Sequence, residues 1–330
     1  MTHYISRGRR AAASLLAGLA LAGLAPLSQA AGYPTKPVTI VVAFPAGGDT
    51  DVLARMLAEK LSPRLGQPVV VENRTGGSGV IGATFVARSQ PDGHTLLLAP
   101  NTIAITPHVL QASGAKINPA QDLTPITQLA SQSLFVVVEK STGVASIKDL
   151  IAGNKAGKLQ TYASPGSGTP MHILAELFDK AAGTKFQQVP YRGSAPAIAD
   201  LVGRHVPLMY STLGPMEQHL KAGSLRALAV ADAVRSPFLP QVPTLAELGY
   251  PSVQVGAWQA LFGPRNMPAD VVETINRHCN EILKMPDVAE RMTTLSMQPR
   301  GGAPAQMREL AQGDYDKYAR LTREFNIRAD

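Results

Sequence analysis

The sequence predicts an α/β protein of two lobes, each a mainly parallel sheet flanked by helices, and three observations predict it. Apolar runs of strand length alternate with helical patterns, and glycine-bearing turns join them. About 300 residues remain beyond an N-terminal leader, more than one hydrophobic core usually supports. Two stretches, near residues 133 and 254, carry the chain across and back.

The leader comes first. Arg7, Arg9 and Arg10 precede an apolar run from Ala11 to Ala25, and Ser28 and Ala30 hold the small-residue cleavage positions, so residues 1–30 read as a secretory signal. The run is too short and alanine-rich for a membrane anchor, which needs roughly 20 apolar residues. The protein is therefore expected in the periplasm, with the Sec and twin-arginine routes both open. The divisions expected are 1–30 signal, 32–133 first lobe, 134–253 second lobe, and 254–330 returning to the first.

The first lobe opens with VTIVVAFPAGGDTD, Val38 to Asp51. Its apolar run suits a strand covered on both faces. Val52, Leu53, Met56, Leu57, Leu61 and Leu65 then keep helical spacing, which aims the free N–H groups of that helix into the turn. Strands at Val69–Val71 and Thr95–Ala99, with a small-residue helix between them, complete a βαβαβ unit; Gln111 to Thr124 reads as a polar surface connection.

The second lobe opens at SLFVVV, Ser133 to Val138, and repeats the pattern. A strand at Leu159–Ala163 leads into SPGSGTP, where Thr169 and Pro170 supply an N-cap and first-turn proline, and Gly183 stops the helix. A strand at Phe186–Val189, a turn at Tyr191–Gly193, a helix over Ser194–Val202, and strands at Val206–Tyr210 and Leu225–Val230 follow. Val255–Gly263 reads as a returning strand, with helices near 269–284, 287–295 and 304–325 beyond it.

Composition and motifs exclude several functions. Of 31 Lys and Arg three lie in the leader, against 24 Asp and Glu, so the mature chain is mildly basic with no dense cationic block, and nucleic acid is not an expected partner. Gly77 to Gly82 fits G-x-G-x-x-G, but polar residues separate it from its strand and no acid follows at the ribose-binding spacing; it reads as tight packing of a helix start. There is no G-x-S-x-G elbow, no complete P-loop and no H-E-x-x-H, so no catalytic residue, cofactor or metal is expected. The single Cys279 reads as a buried thiol. His172, in the first turn of the helix after SPGSGTP, is a candidate donor to a bound oxygen. Two helix N-termini facing one cleft, each worth roughly half a positive charge, can hold a carboxylate without lysine or arginine.

Several long stretches resemble the solute receptors of tripartite tricarboxylate transporters, the Bug-type proteins: YPTKPVTIVVAFPAGGDTD, LGQPVVVENRTGGSGVIGATFVA, PDGHTLLLAP, KLQTYASPGSGTPMH, VPYRGSAPAIADLVG, LRALAVAD and VPTLAELGYP. The resemblance spans essentially the whole mature chain. It implies a two-lobed periplasmic binding protein fold of type II-like form, closing on a small, usually carboxylated solute held by backbone N–H groups. It implies delivery to membrane permease subunits or to a sensor kinase, with no enzymatic activity; a secreted α/β enzyme acting on a small organic acid is the alternative. The chain is expected to be a monomer. Carried across, the binding residues are Phe44, Pro45, Ala46, Gly47, Gly48, Asp49, Thr50 and Asp51 on the first lobe. Asn101 and Thr102 line the same mouth, facing Ser164, Gly166, Ser167, Gly168 and Thr169 on the second, with Tyr191 and Trp258 as further candidates. Many relatives read FPPGGGTD where this chain has Ala46 and Asp49. Asp49 either caps the helix or faces the cleft, where it would repel a second acid and favour an amine or hydroxyl.

Overall fold

The computed structural model describes residues 32–110 and 117–328, so the leader lies outside the described residues. The chain enters through β1 (Val38–Val42), α1 (Asp49–Leu65), β2 (Val69–Asn73), α2 (Val80–Ala87) and β3 (Thr95–Pro100). β1 pairs in parallel with both β2 and β3, as strand–helix–strand units require. α3 (Thr102–Val109) follows at once, then the ten-residue β4 (Leu123–Gln132).

The chain next builds β5 (Leu134–Glu139), α4 (Ile147–Lys155), β6 (Thr161–Ser164), α5 (Pro170–Ala182), β7 (Gln187–Pro190) and α6 (Ser194–Val202). β8 (Leu208–Thr212), the short α7 (Glu217–Lys221) and β9 (Leu225–Val230) complete a five-stranded sheet in the order β7-β6-β8-β5-β9. It then returns through β10 (Ala257–Pro264), α8 (Ala269–Ile282), α9 (Pro286–Thr294), β11 (Gln298–Pro299) and α10 (Pro304–Glu324). The six-stranded sheet runs β11-β4-β10-β3-β1-β2.

The two-lobed α/β architecture is the one expected, but the sheets are mixed rather than mainly parallel. β10 lies antiparallel between β3 and β4, and β5 lies antiparallel between β8 and β9, because strands that follow a crossing enter from the opposite end.

Burial explains the helices. α1 buries Leu53, Met56, Leu57 and Leu61 against β1, β3 and the Val272–Ile275–Cys279 face of α8; each such leucine contributes about 1.5–3 kcal/mol of transfer free energy. Cys279 is fully buried there, and burial pushes its thiol up to about 12. α10 braces both lobes, with Met307 and Ala311 in the core beneath the six-stranded sheet and Tyr318 in the core beneath the five-stranded one.

Three sequence expectations need correction. β4 was not anticipated, because Pro125, Gln128 and Ser131 interrupt its apolar pattern; Pro125 is tolerated where the register with β10 shifts. α3 was also missed. The described part of the expected surface connection is a largely buried turn over 117–122, in which Asn118 Oδ1 accepts from the Ala120 N–H at 2.9 Å, and then the start of β4.

Candidate ligand-binding site

Four helices begin at the cleft between the lobes, each just after the C-terminal end of a strand: α1 after β1, α3 after β3, α5 after β6 and α6 after β7. That is where open α/β sheets bind ligands. All four N-termini line one cleft holding about 770 Å³ of empty space, its open mouth included, through Gly48 to Thr50, Asn101 and Thr102, Thr169 to Met171, and Gly193 to Pro196. Phe44, Pro45, Pro100 and Ala257 add apolar wall.

The four N-termini differ in charge. The first turn of α1 carries Asp49 and Asp51, whereas those of α3, α5 and α6 carry no acid. α5 begins with Pro170, which has no N–H, and Thr169 Oγ1 accepts from the His172 N–H at 3.4 Å. α6 is the barest: its N-cap is Gly193, at φ 120°, with no side-chain cap. At that φ a side chain would strain the backbone, so glycine leaves the Ser194 and Ala195 N–H groups open to the cavity.

Asp49 and Asp51 divide their roles. Asp51 turns away beneath the loop, where its Oδ2 accepts from the Gly47 N–H at 2.9 Å and from Arg55 Nε at 2.9 Å, and its Oδ1 accepts from Asn73 Nδ2 at 2.9 Å. Burial would raise its carboxyl, but the bonds from Arg55, Gly47 and Asn73 together outweigh that and hold it below its ordinary value. Asp49 faces the cavity and caps nothing; the N-cap is Gly48. Asp49 Oδ2 accepts from Gln132 Nε2 and from Thr212 Oγ1, both at 2.9 Å, the second bond crossing from one lobe to the other. Burial raises its carboxyl, against those two bonds.

A polarised chain supports this carboxylate. Thr50 Oγ1 donates to Gln259 Oε1 at 3.1 Å, Gln259 Nε2 donates to Gln132 Oε1 at 3.3 Å, and Gln132 then donates to Asp49. Every donor points toward Asp49, which favours its charged form. The register that pairs Ala257 with Gln132 and Gln259 with Pro100 puts these strand ends side by side at the cleft.

Of the sequence-predicted residues, Phe44, Pro45, Ala46, Gly48, Asp49, Thr50, Asn101, Thr102 and Thr169 lie on the cavity wall. Gly47 and Asp51 stand off it, closing the turn on each other. Ser164, Gly166, Ser167, Gly168 and His172 also stand off it, because the second-lobe turn satisfies itself. His172 Nδ1 accepts from the Gly168 N–H at 3.2 Å, Ser164 Oγ accepts from Gln188 Nε2 at 2.7 Å, and Ser167 O accepts from Ser78 Oγ of the other lobe at 2.8 Å. His172 Nδ1 is thus occupied within the turn itself. Tyr191 donates to Asp200 Oδ2 at 2.6 Å, and Trp258 Nε1 donates to Asp314 Oδ2 at 2.7 Å in the core; both are off the wall. Asn101 is on the wall, but its Nδ2 is committed to Gly256 O at 2.9 Å.

Sequence reasoning missed Gln132, Thr212, Gln259 and the Arg192–Pro196 turn. The last had a readable signal, since Gly193 and Ser194 open an apolar-periodic helix after a strand, as the two recognised turns do. Gly82 bears out the packing reading of the glycine motif: a Cβ there would stand 2.8 Å from that of Ala43.

The model of the tripartite tricarboxylate transporter family receptor matches residues 53–327. The chain belongs to that family. BugT of Bordetella pertussis is 36% identical over 307 residues, 93% of this chain and 94% of that protein. The structure of the periplasmic binding protein BugD superposes with a TM-score of 0.83 at 32% identity, covering 90% of this chain and 100% of that one. A protein of R. palustris solved with adipate has the same TM-score and identity over 89% of this chain and 98% of its own. BugD is a periplasmic binding protein, and this chain shares its fold. Among the described residues no helix is long and apolar enough to cross a membrane.

Proposed function

We propose that the protein is an exported, non-catalytic periplasmic receptor. In this reading it closes on a small carboxylated organic solute and delivers it to the permease subunits of a tripartite tricarboxylate transporter or to a sensor. The observation that carries this is the convergence of three acid-free helix N-termini, those of α3, α5 and α6, on one cavity between the lobes. Open N–H groups and the positive ends of the helix dipoles favour an anion there. The lining supports a carboxylate rather than a larger polyanion, because its only side-chain cation is Arg192 at the exposed rim.

The test is a thermal-shift screen of the purified protein against mono-, di- and tricarboxylates, amino acids and neutral analogues. A solute at 100 times its dissociation constant stabilises by about 2.7 kcal/mol, a rise of several degrees. Neutral solutes raising the melting temperature while no acid does would sink the carboxylate reading. Uptake of the binding acid by cells lacking the protein tests delivery; an undiminished rate rejects it.

A further inference from the structure

Asp49 is an unusual group to find in a receptor for acids. It is one of the cavity's lining residues and the only carboxylate among them. Both of its protein hydrogen bonds fall on Oδ2, and no described residue bonds Oδ1. No described Lys, Arg or His forms an ion pair with it, although its neighbour Asp51 is paired with Arg55. A carboxylate removed from bulk water is normally paired with a cation. Here the chain of donors from Thr50 through Gln259 and Gln132 holds the carboxyl group in place, and no described residue claims its Oδ1.

The charge pattern of the helix starts gives the complementary half. α1 brings its own acids, so its N-terminus is already offset and does not invite a second anion. α3, α5 and α6 bring none. The cavity therefore has a positive part made of helix N-termini and a negative part made of Asp49. A dicarboxylate satisfies the first and is repelled by the second. A molecule with one carboxylate and one ammonium satisfies both.

We propose that the ligand is a small amino acid or amino carboxylate whose ammonium group pairs with Asp49 Oδ1 while its carboxylate meets the acid-free helix N-termini. Asp49 is then the residue that sets specificity, turning a carboxylate receptor against di- and tricarboxylates. Thr212 links this choice to closure: it comes from the second lobe and bonds the same carboxylate, so the ammonium binds beside an interlobe hydrogen bond. The proposal rests on the reading of the cavity as a carboxylate receptor, and its test separates the two.

The experiment is calorimetric titration of the full mature chain with matched probes that differ only at the amino position: L-aspartate against succinate, L-glutamate against glutarate, 4-aminobutyrate against butyrate. The expected result is that the amino member of at least one pair binds ten or more times more tightly than its partner. In Asp49→Asn, nearly identical in shape and checked for folding by circular dichroism, that preference is lost or reversed. Wild-type protein that binds the des-amino member as tightly as, or more tightly than, the amino member in every pair that binds overturns the proposal and leaves the carboxylate receptor standing. So does a folded Asp49→Asn variant that keeps the preference. If no carboxylate of any kind binds, the receptor reading falls and this proposal with it. The wild-type comparison needs no variant, so a poorly folding substitution does not protect the idea.

Discussion

In the turn after β1, a side chain closes the loop from below: Asp51 takes the Gly47 N–H while Arg55 and Asn73 hold its two oxygens. That frees Gly48 to Thr50 to stand on the cavity wall. In the turn after β6, closure consumes the loop itself. His172 takes the Gly168 N–H, Thr169 Oγ1 donates to Gly166 O at 2.8 Å, and Ser167 O is bonded by Ser78 from the facing lobe. Only Pro165 at its start and Thr169 and Pro170 at its end reach the cavity, and the neighbouring Arg192–Pro196 turn takes the place expected of the rest. The comparison teaches that a glycine turn before a helix offers a ligand only those donors that its own closure leaves over.

Breaking the first turn should have the largest effect. Asp51→Ala removes an acceptor of several hydrogen bonds and is expected to cost about 3 kcal/mol of stability, read by chemical denaturation; an unchanged midpoint would show that the loop does not depend on it. The folded carboxyl of Asp51 lies below its unfolded value, so the unfolded chain takes up the proton first. Its contribution is complete above the unfolded value of about 3.9 and is lost as pH falls through the folded one. Asp51→Asn should accordingly weaken the loss of stability on the acid side.

The second effect in size concerns α6. Ala195→Asp places an acid at its bare N-terminus and is expected to weaken carboxylate binding by about 2 kcal/mol, some thirtyfold. The same acid favours the helix dipole by about 0.3–1 kcal/mol, so stability should hold or rise while affinity falls. Equal affinity in calorimetry would move the anion away from α6.

Smaller effects sharpen the contrast at the second turn. His172→Ala leaves the Gly168 N–H without its acceptor and should cost about 1–2 kcal/mol of stability, yet move solute affinity less than threefold. A large affinity loss without loss of stability would return His172 to the binding site. Ser167→Ala removes only a 3.2 Å bond to Gln188 and is expected to cost about 0.5–1 kcal/mol and nothing in binding.

Much of this was readable in the chain. The strand, glycine turn and helix start at Val38 to Asp51, the Thr169 cap with Pro170, the Gly183 stop, and the prolines at 268, 286 and 304 that open the last three helices all act over a few residues. β4 was not readable, since Pro125 is acceptable only where β10 shifts register beside it. Nor was the network on the cavity wall: Thr50 and Gln259 are 209 residues apart, and Asp49 and Thr212 are 163 apart.

Local signals in the chain placed the ends of strands, the starts of helices and the glycine turns between them, because caps, prolines and apolar periods act over a few residues. Which turn keeps its donors free and which spends them on closure depends on packing between distant segments. It also decided that Asp49 looks into the cavity and Asp51 away from it. Two acids of one helix turn differ in role because their partners arrive from distant strands, and the supply of those partners is a property of packing.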